Sequence, residues 1–268
     1  MRILFLGDVV GKSGCSAVTK NLPEQIKKKK IDFVIVNGEN AADQGVGITE
    51  KITNDLISSG VDVITTGNHV WDQKETINFI DKENRLLRPE NLIQSSPGKG
   101  FQIFESKNNF KVGVLNLMGN VFMKKCDDVF QAAEKFIKNK KLKENYDFLV
   151  VDFHGEITSE KMAIGHFFDG KATLVVGTHT HVPTNDARIL ENGTAYQTDS
   201  GMCGDYNSVI GMDKNNSLNK FLKKDYQKHF PATGIASLCG VIVDANEKNG
   251  LAKNIENFIY GGDLKNSI

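Results

Sequence analysis

Short apolar runs rich in Val, Ile, Leu and Phe recur along the chain at residues 3–6, 33–36, 61–65, 112–117, 148–153, 174–176 and 238–243. Each is three to six residues long and, apart from Asp62 and Asp152, free of charge, which suits strands covered on both faces. Segments of helical period lie between them. Residues 50–59 carry Ile52, Leu56 and Ile57 on one face, with Thr49 as N-cap and Gly60 as terminator. Residues 128–138 place Val129, Ala132, Ala133, Phe136 and Ile137 on one stripe. Residues 158–168 predict a further helix capped by Thr158 or Ser159. Strands alternating with helices argue a layered α/β arrangement. In the last third, residues 188–190, 194–197, 237–243 and 255–260 read as strands separated by turns, and predict a second, more antiparallel sheet. With no repeat or low-complexity linker, residues 1–268 read as a single domain.

Composition narrows the class. Thirty-three basic residues balance thirty-three acidic ones, which excludes a polybasic nucleic-acid coat or an acidic tail as the main device. The lysine run at 27–30 reads as a solvated helix end. No apolar run approaches the ~18 residues needed to cross a bilayer. The opening apolar run is closed by Asp8 and reads as a strand, not a signal peptide. Cys15, Cys126, Cys203 and Cys239 form no CxxC pair, as expected of free thiols in a reducing compartment. A cytoplasmic protein with no membrane association is the expectation.

The informative residues follow the apolar runs. Residues 3–6 lead into Gly7-Asp8, 33–36 into Asn37-Gly38-Glu39-Asn40, and 61–65 into Gly67-Asn68-His69. The run at 148–153 is followed at once by His154, and 174–176 by Gly177-Thr178-His179-Thr180-His181. On extended backbone His179 and His181 would point to one side. Asp8 alone could cap a helix near Lys12, and Asn40 and Asn68 are ordinary turn residues. Five strands ending in a carboxylate, amide or imidazole are harder to explain unless the ends converge, and ligands of α/β sheets bind beyond the carboxyl ends of strands. Such donors, without thiolate, favour a hard or borderline divalent cation. Asp8, Glu39, Asn40, Asn68, His154, His179 and His181 are too many for one four-coordinate ion, and suit two ions sharing Glu39.

These residues resemble the calcineurin-like metallophosphoesterases, which carry an Asp after the first strand, an acidic bridge after the second, Gly-Asn-His after the third, a lone His, and Gly-x-His-x-His. Asp8-Val9-Val10 lacks the usual Asp-x-His, and Gly38-Glu39-Asn40 replaces the usual acidic bridge. Both departures are shared with the YmdB-like subfamily. So are Gly67-Asn68-His69-Val70-Trp71-Asp72, Leu87-Arg88-Pro89-Glu90-Asn91, Asp152-Phe153-His154-Gly155-Glu156 and Thr198-Asp199-Ser200-Gly201-Met202-Cys203-Gly204.

The resemblance implies a four-layer α/β (α+β mixed) fold, with two central mixed sheets packed as a sandwich and flanked by helices. It implies a metal-dependent phosphodiesterase acting on cyclic nucleotides, most of all 2′,3′-cyclic ones. Asp8, Glu39, Asn40 and His181 would hold one ion; Glu39, Asn68, His154 and His179 the other. The oxygen-rich first position tilts the expectation toward iron or manganese over zinc. Hydroxide between the ions would attack phosphorus, and His69 would protonate the departing sugar oxygen. A phosphomonoesterase or nuclease of the same superfamily, or a regulatory protein using the metal site for signalling, stays open. So do self-association and contact with RNA ends or an RNA-processing partner. A P-loop is disfavoured, because Gly7 stands one residue too close to Gly11-Lys12-Ser13.

Overall fold

Burial alternates along the strands so that odd and even positions serve different layers, and that alternation organises the molecule. The computed structural model describes residues 1–93 and 95–266. The first part runs β1 (Arg2–Leu6), β2 (Asp8–Val9), α1 (Gly11–Lys29), β3 (Phe33–Asn37), α2 (Glu50–Ser58), β4 (Val63–Thr65) and the single-turn α3 (Thr76–Phe79). There follow β5 (Phe101–Glu105), β6 (Lys111–Met118), α4 (Val129–Asn139), β7 (Phe148–His154), α5 (Thr158–Phe167) and β8 (Leu174–Thr178). The chain then forms β9 (Arg188–Ile189), β10 (Ala195–Gln197), β11 (Met202–Asp205), α6 (Lys214–Phe221), β12 (Ala236–Ala245) and β13 (Ala252–Tyr260).

One sheet has the order β2-β11-β12-β1-β3-β4, with β13 also paired to β12. The other has the order β5-β6-β7-β8-β10-β9. Strands β1, β3 and β4 are parallel, as are β6, β7, β8 and β10, while β12, β5 and β9 join antiparallel. Between the sheets lie Ile3, Phe5, Phe33 and Ile35 from one side and Val112, Val114, Phe148, Val150 and Leu174 from the other. Each such side chain contributes roughly 1.5–3 kcal/mol by leaving water. The alternate residues face outward: Leu4, Leu6, Val34 and Val36 meet Val18 and Leu22 of α1 and Leu56 of α2. Leu115, Leu117, Leu149 and Val151 meet Val129, Ala133 and Phe136 of α4 and Ile164 of α5. The layers are helix, sheet, sheet, helix, as expected.

Three local expectations fare differently. Thr49 caps α2 by accepting from the Ile52 amide at 3.2 Å. Helix α5 has Ile157 at its N-cap with no side-chain cap; Thr158 and Ser159 are already helical. Glu160 in that first turn instead accepts from the Asn120 amide at 3.0 Å, so its carboxylate serves the loop after β6. Among the described residues no separate antiparallel sheet forms in the last third. β9 and β10 extend the second sheet, and β12 and β13 belong to the first, because their partners are the distant β8 and β1.

Lys27, Lys28 and Lys29 form the last turn of α1, where cations complement the helix C-terminus. The segment after β1 forms β2 and a helix beginning at Gly11, not a phosphate loop, and Lys12 lies on Asp43 at 3.1 Å. Among the described residues no helix is long and apolar enough to cross a membrane, and the four cysteines are free.

Candidate active site

Parallel pairing in register brings the strand ends level. Met118 is opposite His154, and His154 is opposite Thr178, so β6, β7 and β8 finish together. On the facing sheet, β2 starts with Asp8, β3 leads into Glu39 and Asn40, and β4 leads into Asn68 and His69. The two sets of ends meet in one interior cluster. His154 Nε2 lies 3.2 Å from Asn68 Oδ1, 3.1 Å from His179 Nδ1 and 3.5 Å from Glu39 Oε1. His181 Nε2 lies 3.2 Å from Asn40 Oδ1 and 3.9 Å from Asp8 Oδ1. All seven sequence-selected donors are therefore brought together, with His69 beside them through its amide, which donates to Glu39 Oε1.

His179 and His181 reach the cluster by a different route from the one expected. Their φ angles are 97° and 65°, left-handed for both, so the turn after β8 is not extended. Such strain persists only where surrounding contacts over-determine it. Gly67 packs directly on the cluster: a Cβ there would stand 2.1 Å from the His154 ring.

The proton inventory of the cluster is unusual. The His181 ring donates from Nδ1 to the Ile210 carbonyl at 2.8 Å. A carbonyl can only accept, so Nδ1 carries the hydrogen. Burial holds the His181 pKa below its ordinary value, so the ring is neutral and Nε2 is bare. That bare nitrogen faces Asn40 Oδ1, whose orientation is set by Nδ2 donating to the Gly45 carbonyl at 2.7 Å. His154 repeats the pattern. Thr178 Oγ1 donates to Asp152 Oδ1 at 2.8 Å and so accepts from His154 Nδ1 at 2.9 Å, leaving His154 Nε2 bare. Burial pushes the His154 pKa well down. His179 Nε2 pairs with Glu156 Oε2 at 3.0 Å, which leaves Nδ1 bare, and burial lowers its pKa to about 4.

The carboxylates follow suit. Asp8 Oδ2 accepts from the His179 amide at 3.1 Å and Glu39 Oε1 from the His69 amide at 2.5 Å. Their second oxygens, Asp8 Oδ1 and Glu39 Oε2, are buried without any hydrogen-bond partner. Burial raises the pKa of both groups, further raised for Asp8 by the Asp199 charge and for Glu39 by the Asp8 charge. Every ring thus gives its proton outward and turns a lone pair inward, where amide and carboxylate oxygens also point.

Acceptors facing acceptors at about hydrogen-bond range repel unless a proton or a cation lies among them, and a cation would also offset the burial that raises the two carboxyl pKa values. The donor set therefore fits bound cations. Among the described residues no three His, Cys, Asp or Glu groups stand as a ready-made ligand cage; the two amide oxygens are integral to this set.

His69 is outside that set. Its Nδ1 pairs with Asp72 Oδ2 at 2.6 Å, and Lys124 Nζ holds Asp72 Oδ1 at 3.1 Å. Desolvation opposes the Asp72 charge, but the bonds from His69 and Lys124 outweigh it and lower its pKa. Sequence reasoning gave no role to Lys124, Thr178, Asp152, Glu156, Asp72 or the Ile210 carbonyl, although Asp72, Asp152, Glu156 and Thr178 stand within the quoted motifs. Arg88 of the Leu87–Asn91 motif donates to the carbonyls of Pro89 and Pro97 and braces its own loop.

A four-layer stack with these strand ends is the calcineurin-like phosphoesterase fold. The chain belongs to the YmdB-like protein family, whose profile matches residues 4–258. It is 44% identical over 263 residues to the 2′,3′-cyclic-nucleotide 2′-phosphodiesterase of Bacillus subtilis strain 168, covering 98% of each chain. The crystal structure of a novel phosphatase from Mycoplasma pneumoniae superposes with a TM-score of 0.90 at 36% identity, covering 98% of this chain and 94% of that one. A hypothetical protein from Thermus thermophilus superposes at 0.89 with 38% identity, covering 98% and 100%.

Proposed function

We propose that residues 1–268 form one metal-dependent phosphodiesterase domain that opens 2′,3′-cyclic nucleotides to 3′-nucleotides. The observation that carries this reading is the convergence of inward imidazole lone pairs with amide and carboxylate oxygens, two of them buried without a partner. Asp8, Glu39, Asn40 and His181 would hold one cation, and Glu39, Asn68, His154 and His179 a second, with Glu39 shared. The abundance of oxygen donors favours iron or manganese over zinc. Bound there, a cation pair supplies a water of lowered pKa and offsets charge on the phosphoryl oxygens.

The chain's own residues supply the rest. Asp72 anchors His69 Nδ1, so Nε2 is the atom that can deliver a proton to the departing sugar oxygen. Opening at the 2′ oxygen leaves the phosphate on the 3′ position. The loop after β6 carries Phe122, 85% exposed and left-handed at φ 61°, and Lys124 ties this loop to Asp72. An exposed aromatic on the loop that Lys124 ties to Asp72 would offer a stacking face for a nucleobase. The Bacillus relative acts on the same substrate class by its name, and supports this choice.

Elemental analysis of protein purified without chelator, with a panel of phosphoesters, tests the proposal. Close to two transition-metal ions per chain and faster turnover of 2′,3′-cyclic nucleotides than of p-nitrophenyl phosphate are expected. A clear preference for monoesters would move the assignment to phosphatase, the reading favoured by the name of the Mycoplasma pneumoniae relative. Absence of bound metal after reconstitution with manganese or iron would overturn it.

A further inference from the structure

The turn that presents His179 and His181 is tied to a charged pair that takes no part in the inward donor set. Lys161 of α5 and Asp199, after β10, have side chains 1% and 0% exposed, with Nζ and Oδ2 2.6 Å apart. The same Oδ2 accepts from the Thr180 amide at 3.1 Å and from Thr180 Oγ1 at 2.7 Å. Asp199 Oδ1 accepts from the Gly201 amide at 2.8 Å, and the Asp199 amide donates to Thr184 Oγ1 at 3.0 Å. Lys161 Nζ also reaches Thr180 Oγ1 at 3.4 Å.

Thr180 lies between two residues in left-handed backbone conformation. Such conformations relax unless something holds them. A fully buried ion pair is a poor general stabiliser, because an apolar pair of similar volume commonly serves as well; its best-attested use is to select one arrangement. Here the carboxylate grips both the amide and the hydroxyl of the one residue that separates the two histidines.

We propose that Lys161 and Asp199 are positioning residues, a clamp on Thr180 that fixes the left-handed turn and aims His179 and His181 into the site. Lys161 holds the Asp199 carboxylate in place; Asp199 holds the turn; neither touches substrate. The functional consequence rests on the metal-site reading above, whereas the clamp itself is a statement about the turn alone.

The test uses the full chain dialysed against chelator, then titrated with manganese. Lys161→Met/Asp199→Leu removes the charges together and retains core volume; Asp199→Asn is the second variant should the double fail to fold, and Lys161→Arg is the conservative control. Three quantities are read: hydrogen exchange at the Thr180 amide, the imidazole NMR signals of His179 and His181, and manganese affinity by calorimetry. In the double variant, with cooperative unfolding retained, Thr180 exchange should accelerate by about tenfold or more. The two histidine signals should shift and broaden, and manganese affinity should fall ~10–100-fold. Lys161→Arg should restore all three.

Unchanged Thr180 protection and histidine signals in a folded variant overturn the clamp. Failure of the wild-type chain to bind manganese strikes at the metal reading instead, and leaves the exchange and histidine measurements to judge the clamp.

Discussion

The His69 amide donates to Glu39 Oε1 at 2.5 Å, so one carboxylate both anchors the backbone of the proposed acid and turns its other oxygen, unpartnered, into the site. The two halves of the proposed chemistry are thereby mechanically joined. Glu39→Gln keeps the shape and removes the charge. Manganese affinity should fall by more than the ~10–100-fold that loss of an outer partner costs, at both positions. Calorimetry with elemental analysis checks this, and two ions held at unchanged affinity would remove Glu39 from the ligand set.

Gly67 makes a second, purely steric test. An alanine Cβ would stand 2.1 Å from His154 Cδ2 and 2.4 Å from Nε2, and a ring with 0% exposure has nowhere to go. Gly67→Ala should destabilise by about 1–3 kcal/mol, read from the urea midpoint, as overpacking does. It should also weaken manganese binding. A stable variant with undisturbed His154 NMR signals would show that the strand end yields more easily than the packing indicates.

Much of this site is legible in the sequence. Strand ends betray themselves where an apolar run stops at Asp8, Glu39, Asn68 or His154, since a buried sheet offers those residues no other partner. The pairing of distant strands is less legible. Nothing local to residues 194–197 says that β10 lies parallel to β8, so the expected separate sheet did not form. β5 was not foreseen because its half-buried edge position leaves a mixed pattern, Phe-Gln-Ile-Phe-Glu. The groups that fix the imidazole protons were hidden for a different reason. The Ile210 carbonyl has no side-chain signature, and Thr178 and Glu156 acquire their roles only when three strands are stacked.

Phe122 bears on substrate choice. If its ring stacks on the base, Phe122→Ala should raise KM for 2′,3′-cyclic AMP by about 5–150-fold, corresponding to the ~1–3 kcal/mol of one base–aromatic contact, with kcat little changed. Phe122→Trp should restore the original KM. A small dialkyl phosphodiester lacking a base should be indifferent to both changes. Equal losses on both substrates would mean that the residue supports the loop, not the ligand.

His69 separates proton delivery from metal binding. Its side chain is tied to Asp72 and only its amide touches Glu39, so His69→Ala should leave metal content nearly unchanged. A general acid contributes ~10²–10⁴ in rate, and its loss should appear in kcat. The size of the loss should follow the leaving group: a sugar alkoxide needs the proton, whereas p-nitrophenolate departs with its charge already delocalised. The variant should therefore lose far more on 2′,3′-cyclic nucleotides than on bis(p-nitrophenyl) phosphate. Asp72→Asn, which keeps the shape but weakens the hold on Nδ1, should show the same leaving-group bias at smaller amplitude. If both substrates slow by one common factor while the metals stay bound, His69 positions the substrate and the proton comes from another group.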